Sequence, residues 1–322
     1  MEGVRVPREP VAEGMGQVST ASRDVTASGG PELKEPGRVK AFLKLVAIEH
    51  SVFALPFAYL SALVAMDRTL GRVDWLTLLL ITVAMVGART FAMAANRIID
   101  RHIDARNPRT AQRELVTGAV SVRTAWLGAA VALVVFMGAA LALNPLCALL
   151  APLAVVPLVL YPYGKRFTDW PHAILALAQA VGPIGAWLAV TGTFAGSGPA
   201  WLLGLAVGLW IGGFDLIYAC QDAEVDRQIG VRSVPARYGV RNALLISTLT
   251  HVVTFALFVW FGAWVGLGWP WWIGLALTAA AFGYQHVIVT PSDLSKVNRA
   301  FFTANGFVAI GLFVFAVIAL LV

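Results

Sequence analysis

The sequence predicts an all-α integral membrane protein, built as a bundle of nine transmembrane helices. Of its 322 residues, 58% are hydrophobic and only 13% are charged, whereas about 25% are charged in ordinary soluble domains. Apolar runs long enough to cross a bilayer, which takes about 20 helical residues, occur nine times. Lysine and arginine fall between these runs and gather in alternate connections. This composition excludes an ordinary soluble protein.

Residues 1–40 are predicted to form a disordered hydrophilic tail. The segment is rich in Gly, Pro, Ser, Glu and Arg and contains no run able to bury a core. It holds six basic and six acidic residues, whereas organelle transit peptides are poor in acidic residues. We therefore expect no cleaved targeting signal in this tail.

The membrane domain is predicted to span residues 41–322. Its apolar runs cover residues 42–65, 74–95, 123–143, 145–163, 170–192, 200–219, 242–265, 270–289 and 301–322. Glycine and proline end helices for backbone reasons, and they punctuate the connections at Asn144-Pro145 and from Gly266 to Pro270. In the sixth run, Gly204, Gly208 and Gly212 recur at four-residue steps and predict a close-packing helix face.

The distribution of lysine and arginine predicts the orientation, because cytoplasmic connections carry the excess of basic residues. Basic residues occupy the second, fourth, sixth and eighth connections, which include Arg97 to Arg113, Lys165-Arg166, Arg227 to Arg241, and Lys296 to Arg299. The third, fifth and seventh connections have none. The first connection departs from the pattern, since it carries Arg68 and Arg72 beside Asp67 and Asp74. We predict a cytoplasmic N-terminus and a C-terminus outside.

Binding of nucleic acid and chemistry based on cysteine are excluded at this stage. The formal net charge of +6 does not indicate a nucleic-acid partner, because the basic residues form short clusters between apolar runs and no soluble patch. The two cysteines, Cys147 and Cys220, cannot build a disulfide framework or a cysteine zinc site.

A first polar stripe follows the second apolar run. Asn96, Asp100 and Asp104 recur at four-residue steps. They therefore line one face of a helix that continues out of the membrane.

A second polar stripe runs from inside the sixth apolar run to its cytoplasmic end. Asp215, Tyr218, Asp222 and Asp226 stand at offsets of 0, 3, 7 and 11 residues, so they also share one helix face. An ionisable residue inside a membrane span, as Asp215 is, is rare and commonly functional.

Two carboxylate pairs on the same side of the membrane repel each other unless a cation lies between them. Mg²⁺ fits this need, because it is held by one or two carboxylates and completes its coordination with waters and substrate phosphates. The two clusters therefore predict a diphosphate clamp. The alternative is that these carboxylates solvate helix ends and pair with adjacent arginines.

Basic side chains close to the stripes are candidate ligands for the phosphate oxygens, where they would stabilise a leaving diphosphate. They are Arg109, Arg113, Lys165 and Arg166. The alternative is that they enforce topology or bind anionic lipid head groups.

These motifs resemble the signatures of the UbiA superfamily of intramembrane aromatic prenyltransferases. The matching runs are Asn96-x-x-x-Asp100-x-x-x-Asp104 with Arg113-Glu114-Leu115, Asp215-x-x-Tyr218-x-x-x-Asp222-x-x-x-Asp226, and Tyr161-Pro162-x-x-Lys165-Arg166. Arg89, seven residues before Asn96, is similar to a position common in the 4-hydroxybenzoate polyprenyltransferase-like branch. That branch includes the menaquinone enzyme of the futalosine route.

The resemblance implies a nine-helix bundle around a cavity at membrane depth, open sideways to lipid and capped by the two Asp-rich connections. It implies that Mg²⁺ holds a polyprenyl diphosphate and that the allylic C–O bond ionises. A ring carbon of a hydroxylated aromatic acid, 4-hydroxybenzoate or a dihydroxynaphthoate, then attacks the cation. The expected role is ubiquinone or menaquinone biosynthesis in a bacterial cytoplasmic (inner) membrane, with the site facing the cytoplasm and no obligatory protein partner.

The residue roles follow from the stripes and the resemblance together. The expected metal ligands are Asn96, Asp100, Asp104, Asp222 and Asp226. Asp215 and Arg89 are expected to orient the acceptor, or alternatively to pair structurally. Tyr161 and Tyr218 are expected to stabilise the carbocation, or alternatively to anchor helix ends at the interface.

His50 stands where many 4-hydroxybenzoate enzymes carry a basic residue in the first helix. It is a candidate donor to the acceptor carboxylate, or alternatively a neutral, hydrogen-bonded helix residue. Two other functions stay open at this stage. One is an ion-coupled transporter with a relay of Asp215, Arg89, Glu49 and His50. The other is the same fold acting on a haem-type or chlorophyll-type macrocycle or on a glycerol phosphate.

Overall fold

The all-α prediction is confirmed. This computed structural model describes residues 42, 45, 46 and 55–322, and in that part of the chain there are nine helices of 15 residues or more and no β-strand. They are α1 (Leu55–Thr69), α2 (Trp75–Asp104), α3 (Val122–Leu143), α4 (Pro145–Phe167), α5 (Pro171–Thr191), α6 (Gly198–Ala219), α7 (Val240–Val265), α8 (Trp269–Ile288) and α9 (Asn305–Leu321). The expected tail, residues 1–40, and His50 lie outside the described residues.

Within the described residues, seven helical segments are long and apolar enough to cross a membrane. They comprise α2 to α7, with α6 continuing to Ile229, and the segment Val297–Leu321 that contains α9. The helix α1 has 15 residues, fewer than the roughly 20 that cross a bilayer. Gln285 and His286 lie near the end of α8 and lower its hydropathy. The count of nine spans and the orientation of the termini stay predictions.

The helix ends follow from the residues that the sequence places there. Asn144 caps α4, since its side-chain oxygen accepts a hydrogen bond from the Cys147 amide at 2.9 Å, and Pro145 begins the helix. The Asn144 amide also donates to the carbonyl of Leu188 at 2.9 Å, so this cap is tied to the end of α5. Gly192 ends α5 in the left-handed conformation, with φ of 64°.

The length of α2 takes the first polar stripe out of the apolar layer. Its 30 residues extend about 45 Å at 1.5 Å per residue, compared with about 30 Å for a bilayer core. The C-terminal turns that carry Asn96, Asp100 and Asp104 therefore project beyond the apolar part of the bundle. The C-terminal ends of α2, α4 and α6 and the N-terminal end of α5 meet at this end.

The predicted glycine face on α6 is confirmed. A Cβ added to Gly208 would lie 2.5 Å from the Ala176 carbonyl oxygen of α5, and one added to Gly204 would lie 2.8 Å from that of Ala180. The helix is central, because 15 of its 22 residues are buried. It packs on α5 and on α7, so it gives the site a rigid support.

The remaining core is aromatic and the outer surface is apolar. The Phe57 ring contacts Trp210 edge-to-face at 5.2 Å between centroids and stacks on Phe258 at 5.6 Å. On the outside, Leu127 of α3 and Leu149 of α4 are 66% and 72% exposed. Helices that are apolar on their outer faces as well as inside are suited to lipid.

Candidate active site

A polar cavity of about 290 Å³ lies between α2, α4, α5 and α6, where the second, fourth and sixth connections meet. Eleven of the residues predicted from the sequence line it: Arg89, Asn96, Asp104, Arg109, Arg113, Tyr161, Lys165, Asp215, Tyr218, Asp222 and Asp226. Asp100 and Arg166 lie beside this cavity and are not part of its lining. The expectation for His50 falls outside the described residues.

The second polar stripe reaches the cavity through a change of helix type. After α6 the chain forms a 3₁₀ turn, Cys220–Asp222, and then a short α-helix, Ala223–Ile229. Gly230, with φ of 74°, ends this helix in the left-handed conformation. Asp222 and Asp226 therefore both face the cavity that the first stripe also enters.

Asp222 joins the sixth connection to the second. Its Oδ1 atom accepts hydrogen bonds from Arg109 Nε at 2.8 Å and from Asn107 Nδ2 at 2.9 Å. Arg109 also donates to the Tyr218 hydroxyl at 3.1 Å, and its guanidinium carbon lies 5.1 Å from the centre of the Tyr218 ring. The arginine thus binds a carboxylate and an aromatic face together.

Burial lowers the pKa of the Arg109 guanidinium, but its hydrogen bonds to Asp222 and the charge of that carboxylate outweigh burial. The net pKa is raised above the ordinary arginine value. The side chain therefore keeps its positive charge throughout the range of pH in which proteins are folded.

Asp104 and Asp100 are paired with bases in the same way. Arg113 donates to Asp104 Oδ1 at 2.6 Å. Asp100 is fully buried and accepts hydrogen bonds from Lys165 Nζ at 2.7 Å and from Arg166 at 3.1 Å. The predicted repulsion between carboxylates is therefore balanced by arginine and lysine side chains. Arginines are the alternative partners predicted for these carboxylates from the sequence.

Asp226 differs from the other three carboxylates. It is 9% exposed and accepts a hydrogen bond from Ser233 Oγ at 3.2 Å. Within the described part of the chain it forms no ion pair with a basic residue. Its carboxylate is therefore not neutralised by an arginine or lysine of the described residues and can accept a cation.

Between the first turn of α5 and α6, Asp215 is paired with a histidine. His172 Nδ1 lies 2.6 Å from Asp215 Oδ2. Arg89 lines the same cavity, and its buried Nε atom has no hydrogen-bond partner among the described residues. In this structure Asp215 therefore pairs with His172 and not with Arg89.

A second cavity of about 370 Å³ adjoins the first and is lined almost entirely by apolar side chains of α1 to α6. The two cavities share five lining residues, which are Arg89, Ala92, Leu158, Ala178 and Gln179. A molecule with a charged head and an apolar tail therefore finds matching surroundings at the two ends of one continuous space.

The donor set of the polar cavity suits a hard divalent cation. The Asp104, Asp222 and Asp226 carboxylates and the Asn96 amide present oxygen atoms to one space, and oxygen is the ligand that Mg²⁺ prefers. In the described residues, no three His, Cys, Asp or Glu side chains already converge as a metal site. Two of these carboxylates are bound by Arg109 and Arg113.

The cavity lining includes residues that were not predicted as site residues, among them Asn107, His172, Gln179 and Ser233. His172 and Gln179 stand seven residues apart in an otherwise apolar helix, so they share one face of α5. This spacing was the available signal. Asn107 gave no comparable signal, since its contact with Asp222 joins residues 115 positions apart.

Comparison with known proteins places the chain in a class of membrane-embedded transferases. Residues 54–318 match the model of the UbiA prenyltransferase family. The chain belongs to this family and is a prenyltransferase.

Curated relatives include the 4-hydroxybenzoate octaprenyltransferase of Nitrosococcus oceani, 34% identical over 74% of this chain and 83% of the relative. The enzyme of the same name from Pseudomonas aeruginosa is 34% identical over 70% of this chain and 75% of its own length. Among solved structures, a UbiA homologue from Aeropyrum pernix has a TM-score of 0.77 and 35% identity, covering 84% of this chain and 98% of the homologue. A UbiA homologue from Archaeoglobus fulgidus, bound to DMAPP and Mg²⁺, has the same fold, with a TM-score of 0.67 at 19% identity, covering 88% of this chain and 99% of its own.

Proposed function

We propose that the protein transfers a polyprenyl group from a polyprenyl diphosphate to a ring carbon of a hydroxylated aromatic acid. The acceptor is 4-hydroxybenzoate or a dihydroxynaphthoate, and the product enters ubiquinone or menaquinone biosynthesis. The observation that carries this proposal is the pair of adjoining cavities, one lined by paired charges and one apolar. The names of the curated relatives support the aromatic acceptor. Membership of a prenyltransferase family favours the enzyme over the ion-coupled transporter.

The diphosphate is proposed to bind with Mg²⁺ in the polar cavity. The ligands would come from Asn96, Asp104, Asp222 and Asp226, which line the cavity, and from Asp100, which lies beside it. When bound, the metal supplies positive charge that stabilises the departing diphosphate. The Archaeoglobus fulgidus homologue bound to DMAPP and Mg²⁺ supports this arrangement by analogy of fold.

Binding would proceed by an exchange of ionic partners. Arg109, Arg113 and Lys165 hold carboxylates in this structure and also line the cavity. An incoming diphosphate offers the same side chains stronger acceptors. As they turn to the phosphate oxygens, together with Arg166, the carboxylates become available to the metal. Because each charge exchanges one partner for another, no side chain is left buried and unpaired.

The aromatic acid is proposed to lie at the membrane-facing end of the cavity. The guanidinium of Arg89, with a buried nitrogen that has no partner among the described residues, would bind the acceptor carboxylate. The Asp215 carboxylate would face the phenol. The allylic C–O bond breaks and the diphosphate leaves. A ring carbon then forms the new C–C bond and loses its proton. Tyr161 and Tyr218 would stabilise the positive charge.

The prenyl tail is proposed to occupy the apolar cavity, where burial of hydrocarbon is favourable. The basic connections at the polar end would face the cytoplasm, across a bacterial cytoplasmic membrane. Both substrates then reach the site from the phase in which they dissolve.

The test is prenyl transfer by purified protein in lipid nanodiscs, with Mg²⁺ and geranyl diphosphate. 4-Hydroxybenzoate and 1,4-dihydroxy-2-naphthoate are offered in parallel, and a chelated sample is the control. We expect a prenylated aromatic acid that forms only with the metal. Binding of the diphosphate without any aromatic product would overturn the acceptor and point to a macrocycle or a glycerol phosphate. Failure to bind the diphosphate would overturn the proposed donor site.

A further inference from the structure

His172, in the first turn of α5, and Asp215 of α6 form a close pair in the lining of the polar cavity. His172 Nδ1 lies 2.6 Å from Asp215 Oδ2. The histidine side chain is 6% exposed and that of the aspartate 16%. The carboxylate thus has more access to the cavity than the imidazole that holds it.

The histidine is costly at this position. Its second ring nitrogen, Nε2, is buried and has no hydrogen-bond partner among the described residues. A buried polar atom without a partner destabilises the folded state, and an apolar side chain would avoid that cost. Packing of α5 on α6 therefore does not account for a histidine here, whereas the bond to Asp215 does.

A glycine makes the contact possible. A Cβ on Gly212 would lie 3.2 Å from the carbonyl oxygen of His172 and 3.1 Å from Ala176 Cβ. Because Gly212 has no side chain, the first turn of α5 approaches α6 closely, one helical turn before Asp215. The backbone of two helices is thus arranged so that one imidazole reaches one carboxylate.

We propose that His172 is a positioning residue for the aromatic acceptor, one that acts through Asp215. Its Nδ1–H donates to Asp215 Oδ2, fixes the carboxylate rotamer and leaves the second oxygen to the phenol. With the acceptor carboxylate bound at Arg89, the two contacts orient the ring so that one carbon faces the allylic cation. This inference rests on the proposed function and adds to it a residue whose effect is confined to the acceptor.

The test compares steady-state constants in nanodiscs with Mg²⁺, geranyl diphosphate and 4-hydroxybenzoate. For His172→Gln, whose amide extends toward the Nε2 position, and for His172→Phe, we expect kcat/KM for 4-hydroxybenzoate to fall about tenfold or more. KM for geranyl diphosphate should change by less than about twofold. For His172→Asn, whose amide nitrogen takes the place of Nδ1, we expect recovery to within about threefold of the native value. His286→Phe removes a histidine from a separate polar cluster with His251 and serves as the matched control.

The outcomes separate the two proposals. If the native protein transfers a prenyl group to neither 4-hydroxybenzoate nor 1,4-dihydroxy-2-naphthoate, the proposed acceptor is wrong and the role of His172 is wrong with it; if it uses only the naphthoate, the same variants are compared with that acceptor. If the native protein is active and His172→Gln is equally active, or if both substrates lose affinity alike, the positioning role alone is wrong. A double variant with Asp215→Asn should lose no more activity than Asp215→Asn, because the histidine acts through that carboxylate. A further loss in the double variant would also overturn the inference.

Discussion

At the scale of single residues, most charged side chains of the site are bound to a partner of opposite charge. Asp222 accepts from Arg109 and Asn107 at once, and Asp104 accepts from Arg113. In a partly buried site such pairs cost little while both members are present, but removal of one member leaves the other unpaired. A substitution here therefore alters both ligand binding and the charge balance of the site.

Asp222→Asn tests this balance. We expect kcat with geranyl diphosphate to fall about 100-fold, because the variant lacks a charge that the metal needs in the transition state. The assay is turnover at saturating Mg²⁺. Glu224→Gln is the control, since Glu224 pairs with Arg227 on the exposed side of the same short helix and exposed pairs contribute little. Equal activity of the two variants would contradict the prediction.

Arg109→Lys tests whether the phosphate ligand must be a guanidinium. Lysine keeps the charge but loses the planar fork that binds Asp222 and Tyr218 together. We expect KM for geranyl diphosphate to rise about tenfold while KM for the aromatic acid stays constant. In the native protein this KM should show no arginine titration at alkaline pH, since the pKa of Arg109 is raised. A rise in the acceptor KM alone would contradict the role.

At the scale of elements, the contact between α5 and α6 leaves no room for a side chain at the α6 glycines. The α6 glycines pack against backbone atoms of α5, and backbone cannot rotate away as a side chain does. The same contact carries the His172–Asp215 pair. A change in the spacing of these two helices would therefore displace the His172–Asp215 pair.

Gly208→Ala should destabilise the fold by about 1 to 3 kcal/mol, the usual cost of overpacking. The added Cβ would lie 2.5 Å from the Ala176 carbonyl oxygen. Thermal unfolding in detergent, followed by circular dichroism, measures the effect. Gly138→Ala in α3 is the matched control, since its Cβ would have no neighbour within 4 Å. If the two variants unfold at the same temperature, the close approach of the helices is not limiting.

At the scale of the whole molecule, the two adjoining cavities are proposed to bind different parts of the polyprenyl diphosphate. The polar cavity would bind the diphosphate and the apolar cavity the prenyl tail. Gly185 lines the apolar cavity and has open space beside it, so Gly185→Phe fills part of that space. We expect turnover of a long polyprenyl diphosphate to fall about tenfold while that of dimethylallyl diphosphate is kept. Gly138→Phe, on the lipid-facing side of α3, is the control. An equal loss of turnover with short and long prenyl diphosphates would contradict binding of the prenyl tail in the apolar cavity.

The predicted orientation can be tested by cysteine labelling in a variant with Cys147→Ala and Cys220→Ala. Ala195→Cys lies in the connection between α5 and α6, and Gln228→Cys lies beside the acidic cluster; both positions are exposed. A membrane-impermeant maleimide added to intact cells should label the first and reach the second only after permeabilisation. The opposite result would reverse the proposed topology.

Local periodicity accounts for most of what could be predicted. The stripes on α2 and α6 follow from the helical repeat, which places residues four apart on one face. The pairing of Arg109 with Asp222 joins residues 113 positions apart, and that of His172 with Asp215 joins residues 43 apart. Such contacts depend on how helices pack, which no local pattern records. The number of spans and the orientation of the chain stay predictions, because they concern the membrane as well as the protein.

The three prolines of α4, at residues 152, 157 and 162, give the enclosure an uneven stiffness. Each proline removes one rung of the backbone hydrogen-bond ladder, and a helix with missing rungs bends more readily. On the opposite side, α6 is held rigidly by its glycine contacts with α5. Leu158, between two of these prolines, borders both cavities. We therefore expect α4 to bend when a bulky prenyl chain binds. The opposite side of the cavity, formed by α6, should keep its position.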